Sequence, residues 1–163
     1  MKPVRVGDKL PCFSLPDQYG KTFNIMNYVG KKKLVIFFYP KDGSHGCTRQ
    51  ACYFRDLNET FDEVDAIVVG ISGQSVESHK RFAELYRLNY PILSDEGNSV
   101  RKLFGVQSNA LGLIPGRVTY VADTEGKIVF IFNSQVQPER HVDEALKVAL
   151  LLKKAKIAED RSL

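Results

Sequence analysis

The chain has 163 residues, of which 44% are hydrophobic and 26% charged, and this composition predicts a single globular domain over residues 1–163 with a loose tail at about 154–163. No uncharged apolar run approaches the roughly 18 residues that a membrane helix needs, so we expect no membrane-spanning segment. The net charge of +4 forms no basic stripe interleaved with aromatic residues, so we do not expect a nucleic acid as a partner.

The first half of the chain predicts a β-hairpin followed by a β–α–β unit. Two short strands, 13–15 and 22–24, flank a turn at 17–20. The run 34–39 is continuously apolar, which is typical of a central strand covered on both faces. Apolar residues spaced by three and four predict a helix from Gly46 to about Phe61, and 66–71 is a second buried strand.

The second half continues the alternation and ends with an antiparallel pair. We expect a helix that starts at about Ser75, a strand at 91–94, a short helix at 100–104, a hairpin of 117–122 and 128–132, and a last helix from about Pro138 into the 150s. This order predicts an α/β protein with a mixed central sheet, helices on both faces and an N-terminal β-hairpin. We expect solvated positions for His79, His141 and lysines 31–33, and a packed Cys12.

The clearest chemical signal lies between the first long strand and the helix that follows it. Residues 40–46 form a short polar loop, and Cys47 opens the helix. Ligands of α/β sheets bind just beyond the carboxyl ends of strands. The first helical turn offers unpaired N–H groups and about half a positive charge, which favour a thiolate over a thiol. The pattern alone leaves a small buried core cysteine as the alternative.

Cys52 follows Cys47 by five residues. In an intact helix their Cα atoms lie roughly 8.6 Å apart, beyond the about 7 Å that a disulfide tolerates. A bond between them therefore requires the first helical turns to unwind. A packed core cysteine at position 52 stays open. We do not expect a zinc site built from His45 and the two cysteines, since the sulfurs point to different helix faces and no further Cys-x-x-Cys pair exists.

The spacing Pro40-x-x-x-Ser44-x-x-Cys47 resembles the Pro-x-x-x-Thr/Ser-x-x-Cys signature of the peroxiredoxins. The gap to Cys52 is similar to that of the Q subfamily, also called bacterioferritin comigratory protein. The likeness extends over roughly 6–152 and includes 70–72, 93–97 and 115–120. It implies a thioredoxin-like fold and an antioxidant enzyme that reduces hydrogen peroxide and organic hydroperoxides. It also implies no metal or other cofactor, recycling by thioredoxin or a similar dithiol, and a monomer.

The same resemblance assigns roles by position. It implies a peroxidatic Cys47, a resolving Cys52, a pocket shielded by Pro40, a peroxide hydrogen bond from Ser44, and an Arg117 that approaches the reactive sulfur from a distant strand. The family commonly has proline where this chain has His45. A protonated His45 would support the thiolate, and a solvent-facing replacement without a role is the alternative.

Two rival functions stay open beside the peroxidase. A general thiol–disulfide oxidoreductase would carry a Cys-x-x-Cys pair, which this chain lacks. A redox-controlled holdase would expose apolar surface around Phe54 when the helix unwinds.

The cysteine content and the first residues indicate a cellular compartment. Three cysteines are an odd number in a chain long enough to bury its own core, so a disulfide-scaffolded secreted domain is not expected. Residues 1–5 lead into no apolar signal core. We expect the bacterial cytoplasm, or the plastid stroma if a transit peptide precedes this sequence.

Overall fold

The computed structural model describes residues 2–109 and 111–162. Its elements are β1 (Ser14–Pro16), β2 (Thr22–Asn24), β3 (Lys33–Phe38), α1 (His45–Glu63), β4 (Ala66–Ser72), α2 (Val76–Tyr86), β5 (Ile92–Ser94), α3 (Ser99–Phe104), β6 (Ser108–Asn109), β7 (Ile114–Pro115), β8 (Val118–Ala122), β9 (Ile128–Asn133) and α4 (Pro138–Arg161). Each predicted strand and helix is present within a few residues of its expected bounds. The short β6–β7 pair was not predicted.

The central sheet is mixed, as predicted, with the strand order β5-β4-β3-β8-β9. Strands β3, β4 and β5 are parallel, whereas β8 pairs antiparallel with both β3 and β9. In the β3–β8 register, Phe38 lies opposite Val118. The loop that follows β3 therefore lies beside the residue that precedes β8, and both are at the edge where the parallel strands end.

The two faces of the sheet are covered by different layers. Val35 and Phe37 belong to a core shared with α1, α2 and α4. Leu34, Ile36 and Phe38 belong to a second core shared with the β1–β2 hairpin and α3. Strand β3 is buried at every position because side chains alternate between these two cores. The α/β fold with helices on both faces is thus confirmed.

His79 and His141 are fully buried, so the expectation that both are solvated is wrong. The nitrogens of His79 contact Asp42 and the Leu93 carbonyl, while those of His141 contact the Thr119 hydroxyl and the Ser134 carbonyl. A buried imidazole is tolerated when both of its nitrogens have partners. Asp42 and Thr119 lie 37 and 22 positions away from these histidines, so local sequence does not reveal them as partners.

Two smaller expectations also fail. Cys12 is exposed rather than packed. Lys33 is buried, and its Nζ donates to the Val64 carbonyl at 2.8 Å. Burial lowers the pKa of this lysine, and the carbonyl offers its ammonium group a partner inside the fold.

Helix α4 is longer than predicted. It continues to Arg161, so residues 154–161 of the expected loose tail are helical, although all of them are exposed. Residue 163 lies outside the described part. The segment is rich in lysine, alanine and glutamate, which favour helix without needing a packing partner. Across residues 2–109 and 111–162, the structure contains no helix that combines the length and apolar character needed to cross a membrane.

Protonation of His141 is expected to destabilise the protein in acid. Burial lowers the pKa of His141 to about 4, so the folded state keeps the ring neutral while the unfolded chain takes up a proton below about pH 6.5. The free energy of unfolding should therefore fall by about 3 kcal/mol between pH 7 and pH 4 through this group alone. Denaturant unfolding of the parent and of His141→Gln across this range measures it. If the free energy of unfolding fell equally in the parent and in His141→Gln, His141 would not be the group responsible.

Candidate active site

Cys47 lies in the first turn of α1, where the loop after β3 enters the helix. Ser44 has an extended backbone and is the N-cap of α1. Cys47 is only 1% exposed and belongs to the core between the sheet and α1. Helix α1 runs unbroken through Cys47 and Cys52, and both thiols are free.

Arg117 points at the sulfur of Cys47. Its Nη2 lies 3.3 Å from Sγ, and the arginine is only 4% exposed. Residue 117 immediately precedes β8, so the pairing of Val118 with Phe38 brings it to the end of β3. A guanidinium this close, shielded from water, stabilises a thiolate and any negative charge that forms next to it. The fold thus brings together Cys47 and Arg117, which are 70 positions apart in the sequence.

Gly46 permits this close approach. A Cβ atom at position 46 would lie 3.1 Å from Arg117 Nη2, closer than most real Cβ contacts. A larger residue would push the guanidinium away from the first turn of α1.

Gln50 is a residue of this site that the sequence did not indicate. Its Oε1 accepts a hydrogen bond from Arg117 Nη1 at 2.5 Å, and the Arg117 Nε donates to the Gln135 carbonyl at 3.2 Å. These two contacts fix the plane of the guanidinium. The available signal was spacing, because residue 50 lies one helical turn after Cys47 and is a polar residue on the buried face of α1.

Two buried polar atoms near Cys47 have no hydrogen-bond partner among the described residues. They are Thr48 Oγ1 and Gln50 Nε2. An unsatisfied buried polar group costs about 1–3 kcal/mol, so such groups are usually explained by function or by a ligand.

Ser44 and Pro40 lie in the adjoining loop. The Ser44 hydroxyl donates to the Lys41 carbonyl at 3.2 Å, so its one proton is engaged within the loop. It must rotate before it can donate to a ligand at Cys47. Pro40 is half-buried directly after β3, and His45 is exposed at the start of α1.

Asp42 anchors this loop to α2. Its carboxylate accepts hydrogen bonds from the Tyr39 hydroxyl at 2.5 Å and the Ser78 hydroxyl at 2.8 Å, and it lies 2.6 Å from His79 Nδ1. Burial alone raises the pKa of Asp42, but the hydrogen bond and charge of His79 and the two hydroxyls outweigh it, so this pKa is below its ordinary value. His79 Nε2 faces the Leu93 carbonyl, which can only accept. Through these contacts the Asp42–His79 pair ties the loop to β5 and α2.

No metal centre is apparent at this edge of the sheet. In the part of the chain that the structure describes, no group of three or more His, Cys, Asp or Glu side chains is arranged to hold a metal ion. The arrangement instead offers an activated sulfur, a buried cation beside it and spare polar groups, which suits nucleophilic attack on a small polar molecule.

The sequence is similar to one known protein family and to several of its plant members. Residues 6–131 match the AhpC/TSA family. The chain is 50% identical to the chloroplastic peroxiredoxin Q of Populus jackii over 89% of this chain and 68% of that protein. It is also 50% identical to the chloroplastic peroxiredoxin Q of Sedum lineare over 92% of this chain and 80% of that protein.

Two solved structures resemble the whole fold. The crystal structure of peroxidoxin BcpB from Mycobacterium tuberculosis superposes with a TM-score of 0.83 at 38% identity, covering 90% of this chain and 96% of that one. The bacterioferritin comigratory protein of Xanthomonas campestris, described for its alkyl peroxide reduction activity, superposes with a TM-score of 0.80 at 26% identity. That match covers 90% of this chain and 99% of the bacterial one.

Proposed function

Because the chain belongs to the AhpC/TSA family and is a peroxiredoxin, an enzyme that reduces peroxides with a thiol reductant, we propose that Cys47 is the sulfur that attacks the peroxide and that Cys52 resolves the product. The observation that carries this assignment is the 3.3 Å contact between Arg117 Nη2 and Cys47 Sγ. Among the described residues, neither Cys12 nor Cys52 combines so close a guanidinium with a place in the first turn of a helix.

In the first step, the Cys47 thiolate attacks one peroxide oxygen. The S–O bond forms as the O–O bond breaks, and water or an alcohol leaves after taking a proton. Negative charge grows on the departing oxygen, and each preorganised donor aimed at it contributes about 3 kcal/mol. The Arg117 guanidinium and the backbone N–H groups of the first turn are placed to donate, and the Ser44 hydroxyl can join them once it rotates away from the Lys41 carbonyl. Gln50 Nε2, which has no hydrogen-bond partner in the described part of the chain, supports the same role.

In the second step, Cys52 attacks the sulfenic sulfur of Cys47. The S–S bond forms, the S–O bond breaks, and the oxygen leaves as water. Because both cysteines lie in the unbroken α1, the first turn must unwind before the sulfurs can meet. The catalytic cycle therefore includes local unfolding of residues next to Cys47.

In the third step, an external dithiol reduces the disulfide by exchange. We infer that thioredoxin or a similar dithiol protein fills this role in a monomer, since both cysteines belong to one helix of one chain and need no second subunit. The enzyme would act in antioxidant defence and redox homeostasis.

We propose two candidate cellular locations for the protein. The plant relatives are named as chloroplastic, and the structural relatives are bacterial. The cycle needs a compartment that keeps thiols reduced, and the bacterial cytoplasm and the plastid stroma both do so. Fractionation of the source organism, followed by immunodetection, separates the two.

Intact mass measurement after one equivalent of peroxide tests the assignment of the two cysteines. The parent protein should lose two hydrogens, and peptide mapping should place the new bond between Cys47 and Cys52. Cys52→Ser should still consume the first equivalent of peroxide but gain one oxygen at Cys47, because no partner thiol remains in reach. A disulfide that includes Cys12 would contradict the proposed cycle.

A further inference from the structure

A second arginine faces the second sulfur. Arg55 Nη1 lies 3.6 Å from Cys52 Sγ and donates to the Tyr86 carbonyl at 2.6 Å, while its Nε and Nη2 contact Asp56. Residue 55 lies one helical turn after Cys52, and its side chain is 30% exposed. Each of the two sulfurs of α1 therefore faces a guanidinium, Cys47 that of Arg117 from immediately before β8 and Cys52 that of Arg55 from α1 itself.

The contact between Arg55 and Cys52 persists when the N-terminal turn of α1 unwinds. Unwinding that lets Cys47 meet Cys52 begins at the N-terminal end of α1, whereas Arg55 follows Cys52 and is bonded to the end of α2 through the Tyr86 carbonyl. Residues three apart stay neighbours for as long as the helix persists between them. The guanidinium therefore remains beside Cys52 when the loop and first turn detach.

Resting on the assignment of Cys52 as the resolving cysteine, we propose that Arg55 is a further catalytic residue, which stabilises the Cys52 thiolate during disulfide formation and disulfide reduction. When the disulfide forms, the thiolate donates an electron pair to the Cys47 sulfenic sulfur, and water leaves. When an external dithiol attacks Cys47, the S–S bond breaks and the electron pair departs on Cys52 as a thiolate. The same positive charge lowers the cost of both steps.

The other groups around Cys52 do not supply this charge. Asp56 on α1 is negative, and the buried Tyr90 before β5 is neutral because burial raises its pKa well above the ordinary value. The pKa of Cys52 is above its ordinary value, because burial and Asp56 raise it by more than Arg55 lowers it. Arg55 is thus the cation that opposes both burial and the neighbouring carboxylate.

The test isolates Cys52 as the only thiol by using the full chain with Cys12→Ser and Cys47→Ser. Its alkylation by iodoacetamide is followed from pH 6 to pH 10. In Arg55→Met, the thiolate fraction falls about tenfold while the sulfur becomes about threefold more nucleophilic, so alkylation near pH 7 should slow about threefold. The midpoint of the pH profile should move upward, with Arg55→Lys in between. Superimposable profiles for the parent and Arg55→Met would overturn the proposal.

Two further variants separate charge from folding. Asp56→Asn removes an exposed carboxylate that competes for the guanidinium, so it should accelerate alkylation and move the midpoint downward. Arg49→Met removes an exposed guanidinium of the same helix, which pairs with Glu139, and should leave the profile unchanged. If Asp56→Asn slows alkylation or Arg49→Met matches Arg55→Met, a specific contact is excluded. Because no peroxide is used, the result is independent of whether mass mapping confirms the Cys47–Cys52 bond.

Discussion

Replacement of Cys47 by serine is expected to lower peroxide reduction by at least about a thousandfold, to the background rate. A serine hydroxyl next to Arg117 keeps the site nearly unchanged in shape, but it is a much weaker nucleophile and cannot become a sulfenic acid. The lost chemistry therefore cannot be supplied by the guanidinium or by the remaining polar groups. Peroxide consumption coupled to a thioredoxin system measures the loss.

The matched control is Cys12→Ser. Cys12 is an exposed free thiol that precedes β1, so its removal should leave the rate of peroxide reduction unchanged. Thermal unfolding of both variants should remain close to that of the parent, since each replaces one sulfur by a smaller oxygen and adds no atom that could clash. Retained peroxidase activity in Cys47→Ser would overturn the assignment of the nucleophile.

Much of the fold could be predicted, because the local spacing of apolar residues matches the strands and helices that form. The continuous apolar run of β3 predicts a strand between two layers, and each of its residues is buried. The spacing of apolar residues in α1 predicts a helix that packs on the sheet. The β6–β7 pair escapes prediction because two-residue strands have no periodicity to detect.

The two histidines show where pattern reading goes wrong. His79 has Phe82 and Ala83 on its own face of α2, and His141 has Val142 and Ala145 close by on α4, so helical spacing already placed both on buried stripes. Their polarity suggested solvent instead. The decisive information is the partner, such as Asp42 for His79, and it comes from another element.

The part of the site that is contiguous in sequence could be predicted. The loop and Cys47 follow one another in sequence, and the family resemblance supplies Arg117. Gln50 was missed because its importance depends on a contact with a residue 67 positions away. Spacing of one helical turn from the reactive sulfur was a usable signal, but it does not by itself distinguish a partner of Arg117 from a packed amide.

Replacement of Arg117 by methionine is expected to slow the attack on peroxide by about a hundredfold to a thousandfold. Two effects combine, since the thiolate of Cys47 loses its nearest positive charge and the departing oxygen loses a donor. Arg117→Lys should recover part of the rate, because an ammonium keeps the charge but cannot bond Gln50 and the sulfur with one rigid group. The chain contains no tryptophan, so rapid quenching followed by intact mass is the suitable measurement.

Arg140→Met provides the control for the loss of one arginine. Arg140 lies on α4, where it stacks on Phe132 and pairs with Glu144, and its side chain is 54% exposed. This variant should react with peroxide at the parental rate. A folded Arg117→Met that also reacts at the parental rate would show that the 3.3 Å contact with Cys47 does not drive the chemistry, since the same sulfur would then be activated by the helix N-terminus alone.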